Sequence, residues 1–137
     1  MAVSLDELIV AHRESLVDRI TKDAIQQIPS YGRAPLRQTI QRVERFLDAL
    51  AESVARNEPD VLERHLIGVA GEREREGYAI MELHGIVHIT EQHVRAEIQR
   101  DVPDDVQRTA LLALLDAVTD AARMVLSVRY LLSARHL

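Results

Sequence analysis

The chain contains no cysteine and no tryptophan, and Lys22 is its one lysine. Without cysteine, no disulfide bond, thiolate metal ligand or thiol nucleophile can form. One phenylalanine and three tyrosines are too few for the aromatic-rich strands of a typical β-sheet protein, and five glycines and four prolines supply few turns. These shortages favour helices that pack around leucine, isoleucine, valine and alanine.

The 137 residues carry a formal net charge of −5, and acidic residues are interleaved with the arginines. Binding to nucleic acid, which requires a clustered basic face, is therefore not expected. We attribute the excess of arginine over lysine to genomic base composition. No uncharged apolar run approaches the ~20 residues that span a bilayer, and the N-terminus lacks the basic and apolar regions of a signal peptide. We expect a cytoplasmic protein with no membrane partner.

Helical periodicity predicts five helices, over residues 5–28, 35–56, 60–76, 79–100 and 103–137. Ser4 and Glu7 form a capping box before the first helix, and Gly77 is expected to be the left-handed cap that ends the third. The connections are short, and the chain contains no linker or internal repeat. The sequence thus predicts a single all-α domain, residues 1–137, folded as an up-and-down antiparallel bundle of about five helices.

The last predicted helix is longer than the others, at ~50 Å against ~35 Å for a rise of 1.5 Å per residue. Apolar residues lie on both sides of it, which favours a second packing surface and a homodimer. Leu115, Val118 and Val125 are the predicted interface residues. This helix continues to the last residue, and residues 133–137 include no glycine, asparagine or proline that would cap its end. Either its end frays, or it runs on as a connector to another domain.

His84 and His88 are the sharpest candidates for a bound metal or haem, since they lie one turn apart on the fourth helix with Glu91 close to the next turn. A His-x-x-x-His pair on a helix can bind a divalent metal or supply an axial haem ligand. Two histidines at the edge of the core are the simpler interpretation, because two ligands do not make a site. A hemerythrin-like di-iron centre is excluded, since His84 and His93 lie about 180° apart around the helix.

Two other residues are candidates for a binding site. His12 lies on the inner stripe of the first helix, where a lone histidine is more often a core residue than a ligand. Arg73 lies in a run of alternating charge at residues 72–76, which is most simply a solvated helix end with weak ion pairs. Alternatively, Arg73 points inward and either anchors the corner at Gly77 or holds an anionic ligand. No nucleophile motif or phosphate-binding glycine loop is present, so we do not expect an enzyme.

The segment from Gly71 to Leu83, with the pattern Gly-x-Arg-x-x-x-Gly-x-x-Ile-x-x-Leu, resembles the N-terminal helical domain of RsbRD-type stressosome co-antagonists. Similar domains precede some bacterial sensor kinases and PucR-like regulators. Arg73 and Gly77 match the arginine and glycine of that family. The resemblance loosely covers most of the chain. It implies a bacterial sensory or interaction module that dimerises, passes a signal through its last helix and has no catalytic residues.

The leading hypothesis is therefore a non-enzymatic input module of a bacterial signalling protein, in which Arg73, Gly77 and His84 form a ligand-binding or structural corner. No cofactor is expected, and the expected partners are a second copy of the chain and a signalling protein or fused output domain. The alternative is a metal- or haem-binding bundle that uses His84, His88 and Glu91, with His12 as a further candidate ligand. A third hypothesis is an adaptor without a ligand that binds a partner helix in an apolar groove.

Overall fold

A computed structural model of the chain describes residues 3–75 and 80–134. These residues form seven α-helices and no β-strand, so the all-α prediction is confirmed. The helices are α1 (Leu5–Ala11), α2 (Arg13–Gln27), α3 (Pro29–Arg33), α4 (Leu36–Arg56), α5 (Asp60–Arg75), α6 (Met81–Asp101) and α7 (Asp105–Ala134). None of these described helices has the length and apolar character that crossing a membrane requires.

Five helices enclose the core in a ring, because α2 packs on α4, α4 on α5, α5 on α7, α7 on α6, and α6 on α2. The short helices α1 and α3 pack on α4 and α2 respectively. The core is mostly aliphatic, as the composition predicts, and α4 contributes Leu47, Leu50 and Val54 at helical spacing. Full burial of each such side chain contributes about 1.5–3 kcal/mol, so packing rather than helix propensity holds the bundle together.

The first predicted helix is interrupted at His12, which ends α1 and begins α2 with φ −111° and ψ 16°. Leu8 and Leu16 are buried on either side of this residue, so the apolar periodicity continues through the bend and does not reveal it. The His12 side chain reaches across to α6, where its Nε2 lies 2.8 Å from Oδ2 of Asp101. Local periodicity cannot encode this tertiary contact.

The break predicted after the first helix contains the short helix α3. Pro29 occupies its first turn, where the missing N–H removes no intrahelical bond. Tyr31 is 3% exposed, and its carbonyl oxygen accepts a hydrogen bond from Oγ1 of Thr39 at 3.1 Å. A segment that the sequence predicts as a break between two helices therefore supplies a core aromatic residue.

The other helix boundaries lie within a few residues of the predicted ones. Pro35 precedes α4, and Asn57 ends it in the left-handed conformation with φ 54°. Gly77, predicted as the cap of the following helix, lies outside the described residues. Oδ2 of Asp104 accepts a hydrogen bond from the backbone N–H of Gln107 at 2.8 Å, which satisfies one of the free donors in the first turn of α7.

Two of the three residues predicted for a dimer interface on α7 are buried within one chain, so the prediction is corrected for them. Leu115 is 0% exposed and Val118 is 3% exposed, so both belong to the core of a single chain, whereas Val125 is half-buried. Periodicity identifies an apolar helix face but not the neighbour that covers it, and here α5 and α6 cover it. The exposed large apolar side chains in the described part of α7 are Val106, Met124, Val128, Tyr130, Leu131 and Leu132.

Candidate functional site

Arg73 lies inside the protein, not in a solvated helix end. Arg73 is 3% exposed, and its Nη2 donates a hydrogen bond to the Tyr31 hydroxyl at 3.4 Å. The guanidinium carbon also lies 5.1 Å from the centroid of the Tyr31 ring, within the range of a cation–π contact. Of the two interpretations that the sequence left open for Arg73, the structure adopts the inward one.

A cavity of about 470 Å³ lies beside this pair, between α4 and α5. Four arginines line it, two from each helix: Arg42, Arg45, Arg64 and Arg73. Glu72 is the one acidic side chain among the described lining residues. Arg45, Arg64 and Glu72 are exposed, so they form the mouth of the cavity, whereas Arg73 is buried.

The floor of the cavity is apolar. Phe46 of α4, Leu66 of α5, and Leu83 and Ile86 of α6 all line it, and each is at most 4% exposed. Because these side chains also belong to the central core, the floor is held in place by the packing of three helices. The cavity therefore combines a rigid apolar base with a cationic mouth.

The titratable groups that line the cavity, other than its arginines and Glu72, are held neutral. Burial lowers the pKa of His65, and the nearby charge of Arg45 lowers it further, so the imidazole is uncharged at neutral pH. Burial raises the pKa of the Tyr31 phenol and outweighs the opposite effect of Arg73. Among the described lining residues, four arginines and one acidic side chain carry charge, and an excess of positive charge attracts an anion.

Helix α5 is a wall of the cavity and also a neighbour of α7. Gly71 lies two residues before Arg73, and a Cβ atom built on it would lie 3.9 Å from Nη2 of Arg129 on α7. This distance is an ordinary van der Waals contact, so the Arg129 side chain packs beside the α5 backbone at Gly71. The helix that carries Arg73 is thus in direct contact with α7.

Of the three residues predicted to form the corner, Arg73 is the one that lines the cavity in the described part of the chain. Gly77 lies outside the described residues. His84 is half-buried on α6 and is not among the residues that line the cavity. Burial lowers its pKa, and the charge of Arg123 lowers it further, which keeps the ring neutral at the edge of the core.

The metal ligands predicted on α6 are not brought together. His88 is exposed, His84 is half-buried, and Glu91 is already engaged by α6 and α7. The Glu91 carboxylate accepts hydrogen bonds from Arg95 at 2.8 Å and from Arg123. Burial raises the pKa of Glu91, but the hydrogen bonds from Arg123 and Arg95 outweigh it and lower the pKa overall. A metal ion at Glu91 would have to displace two guanidinium groups.

Within residues 3–75 and 80–134, His12, Glu97 and Asp101 are the only three histidine or acidic side chains whose ligand atoms all lie within 4.8 Å of one another. The Glu97 side chain is 3% exposed and pairs with Arg19 at 2.6 Å and Arg100 at 3.0 Å. Two guanidinium groups therefore already balance the two carboxylates. This cluster of ion pairs joins α2 and the His12 bend to α6. The sequence did not predict it.

Sequence reasoning found Arg73 but missed the other cavity arginines. Two features of the sequence could have indicated these arginines. One is the large excess of arginine over lysine, which we attribute to base composition. The other is the i, i+3 spacing of Arg42 and Arg45, which puts them on one helix face. Only the pairing of α4 with α5 brings these side chains to Arg64 and Arg73. Comparison with protein-family models, curated proteins and solved structures finds no match to the chain.

Proposed function

We propose that the chain is a non-enzymatic input module of a bacterial signalling protein that binds a small anion in the cavity between α4 and α5. The observation that carries this proposal is the burial of Arg73 at a cavity where four arginines face one described acidic side chain. Burying a charged side chain is costly unless polar or charged groups compensate it. An anion in the cavity would meet the surplus of positive charge among the described lining residues.

The proposed mechanism couples the cavity to α7 through α5. An anion that contacts Arg45 on α4 and Arg64 on α5 draws the two helices together, because both arginines lie at the mouth. Since α5 also packs on α7, the ligand stabilises one arrangement of α5 and α7 over another. Such a ligand shifts the population between two packings and requires no chemical step.

The exposed apolar side chains of α7 support the second part of the proposal, a homodimer along this helix. Met124, Val128 and Leu131 recur at spacings of four and three residues, which is the seam pattern of paired helices. They are 67%, 50% and 63% exposed respectively. We place the dimer contact there, so that a change in α7 reaches the second chain, a signalling partner or a fused output domain.

The resemblance of the segment around Arg73 to RsbRD-type domains supports a signalling role, since that resemblance implies a sensory or interaction module. It is also consistent with the absence of nucleophile motifs from the sequence. A cytoplasmic location, as the sequence leads us to expect, belongs to the same proposal.

Isothermal titration with inorganic phosphate, acetate and benzoate, followed by amide hydrogen exchange, tests this function. We expect at least one of these anions to bind one molecule per chain and to slow exchange in α5 and α7 more than in α1 and α2. Replacing the buried charge in Arg73→Met should abolish the binding, and circular dichroism would verify that the variant is folded.

Two results would refute the proposed function. One is that none of the three anions binds the folded wild-type chain. The other is that an anion binds but amide exchange in α7 stays the same, because the cavity would then be uncoupled from the helix that conveys the signal.

A further inference from the structure

The mouth and the floor of the cavity favour different chemical groups in a ligand. The mouth carries Arg45, Arg64 and Glu72, while the floor includes the buried side chains of Phe46 and Ile86. A small inorganic anion would satisfy the mouth and leave the apolar floor in contact with water. A neutral apolar molecule would cover the floor and leave the guanidinium groups without a ligand charge. A ligand that satisfies both halves needs an anionic head and an apolar body.

The buried arginine defines the chemistry of the head. Tyr31 holds the Arg73 guanidinium by a hydrogen bond and by its ring face, so the group is positioned before a ligand arrives. A guanidinium is planar and presents paired N–H donors that match the two oxygens of a carboxylate.

The volume limits the size of the body. A cavity of about 470 Å³ lies towards the lower end of the range of about 300–1,000 Å³ for small-molecule sites. This favours a short alkyl or aryl group over a full-length lipid chain. The floor offers aliphatic contacts from Leu66, Leu83 and Ile86 and the ring of Phe46.

We propose that the ligand of this cavity is a short amphiphilic carboxylate, with its head at the arginines of α4 and α5 and its apolar body on the floor formed by Phe46, Leu66, Leu83 and Ile86. This inference rests on the proposed function and specifies the ligand class for the same cavity. It assigns the head to Arg42, Arg45, Arg64 and Arg73.

Calorimetric titration with octanoate, acetate, inorganic phosphate and octanamide tests the ligand class. Octanoate and acetate share the head, octanoate and octanamide share the body, and phosphate has only a charge. Octanoate buries methylene groups that acetate lacks, so we expect octanoate to bind at least about tenfold more tightly than acetate. Octanamide and phosphate should also bind at least about tenfold more weakly than octanoate.

Charge variants locate the head. Arg45→Gln removes an exposed arginine of the mouth, and Arg37→Gln removes an exposed arginine of the same helix that does not line the cavity. Octanoate affinity should fall at least about tenfold in Arg45→Gln, since the variant loses a charge-assisted hydrogen bond to the carboxylate, and should stay unchanged in Arg37→Gln.

A second pair of variants locates the body without disturbing the core. Gly68 lines the cavity, and a Cβ atom added there would meet no other atom within 4 Å. Gly68→Leu should therefore narrow the cavity and weaken octanoate binding while the fold is kept. Gly68→Ala, which adds one methyl group, should leave binding nearly as it is. Equal octanoate affinity in the two variants would overturn the placement of the body.

The four probes separate failure of this inference from failure of the proposed function. If phosphate or acetate binds as tightly as octanoate, and Arg45→Gln weakens that binding, the apolar body is wrong and the anion site stands. If octanamide binds as tightly as octanoate, the anionic head is wrong. If no probe binds the folded chain, the inference and the anion-binding function both fail.

Discussion

The guanidinium of Arg73 and the phenol of Tyr31 form a buried pair, in which Nη2 donates to the hydroxyl at 3.4 Å and the guanidinium carbon lies 5.1 Å from the ring centroid. The pair joins α5 to the short helix α3, over a separation of 42 residues. It thereby positions the one cavity arginine that is buried. The stability of this pair and the binding properties of the cavity are therefore linked.

Removing the hydroxyl tests the structural part of this pair. Tyr31→Phe keeps the ring and deletes the acceptor of the Arg73 hydrogen bond, which should lower the free energy of unfolding by about 1 kcal/mol. Urea unfolding at pH 7 measures the effect. Tyr130→Phe is the matched control because Tyr130 is 48% exposed, and a loss there equal to that in Tyr31→Phe would contradict the prediction.

Glu97 should make the fold sensitive to acid. Burial raises the pKa of Glu97, but hydrogen bonds from Asp101, Arg100 and Arg19 outweigh it and lower the pKa from 4.5 to about 2. The same contact raises the pKa of Asp101. A carboxyl whose pKa is lowered by folding stabilises the fold above its unfolded pKa and loses that contribution as the pH falls through its folded pKa.

Glu97→Gln, followed by urea unfolding between pH 2.5 and 8, measures this contribution. Breaking a buried ion pair costs about 3–5 kcal/mol, so the variant should be less stable than the wild type by an amount that is constant above about pH 5. The difference should shrink as the pH falls from about 4.5 towards 2. A difference that is independent of pH would show that Glu97 acts by its shape and not by its charge.

Gly32 should be intolerant of any side chain. A Cβ atom on this residue would lie 2.9 Å from the backbone oxygen of Ile25, and backbone atoms cannot move aside as a flexible side chain can. We expect Gly32→Ala to lower the free energy of unfolding by about 1–3 kcal/mol. Gly68→Ala is the control, and should raise stability by up to about 1 kcal/mol because it improves helix propensity in open space.

The exposed face of α7 should control association. Met124→Glu or Val128→Glu places a charge in the proposed seam, so light scattering should report a lower molar mass than for the wild type while the circular dichroism is unchanged. Gln99→Glu, an exposed charge change on α6, should leave the mass as it is. A wild-type mass in both α7 variants would place any dimer contact elsewhere.

The buried face of α7 should behave differently. Leu115 is fully buried within one chain, so Leu115→Ala should lower the free energy of unfolding by about 2–5 kcal/mol through loss of apolar burial and creation of a cavity. Thermal unfolding at several protein concentrations distinguishes this from loss of a dimer contact. Loss of packing within one chain lowers stability by the same amount at every concentration, whereas loss of a dimer contact changes the concentration dependence of the melting temperature.

Most of the helix boundaries could be predicted because they depend on local chemistry. The start of α4 after Pro35 and its end at Asn57 follow from residues that cannot continue a helix or that tolerate a left-handed conformation. The bend at His12 and the short helix at Tyr31 could not be predicted in this way. Both are stabilised by contacts with residues far along the chain, such as His12 with Asp101.

The candidate site was predictable only in part. Arg73 was found because it lies in an unusual charge run beside a predicted corner, although the pattern could not decide whether it points inward. The approach of Arg42 and Arg45 to Arg64 depends on how α4 and α5 pack, and no spacing along one helix contains that information. The same reason explains why Leu115 and Val118 were assigned to a dimer.

The sequence by itself determined that this protein is an all-α bundle with a long last helix, because aliphatic residues at helical spacing, few aromatics and few turn residues are properties of each segment alone. The tertiary structure decided which faces are covered, which charges meet and where a cavity remains. Those outcomes depend on side chains tens of residues apart, as in the pairing of Arg19 with Glu97. Packing selects among several pairings that local periodicity permits equally.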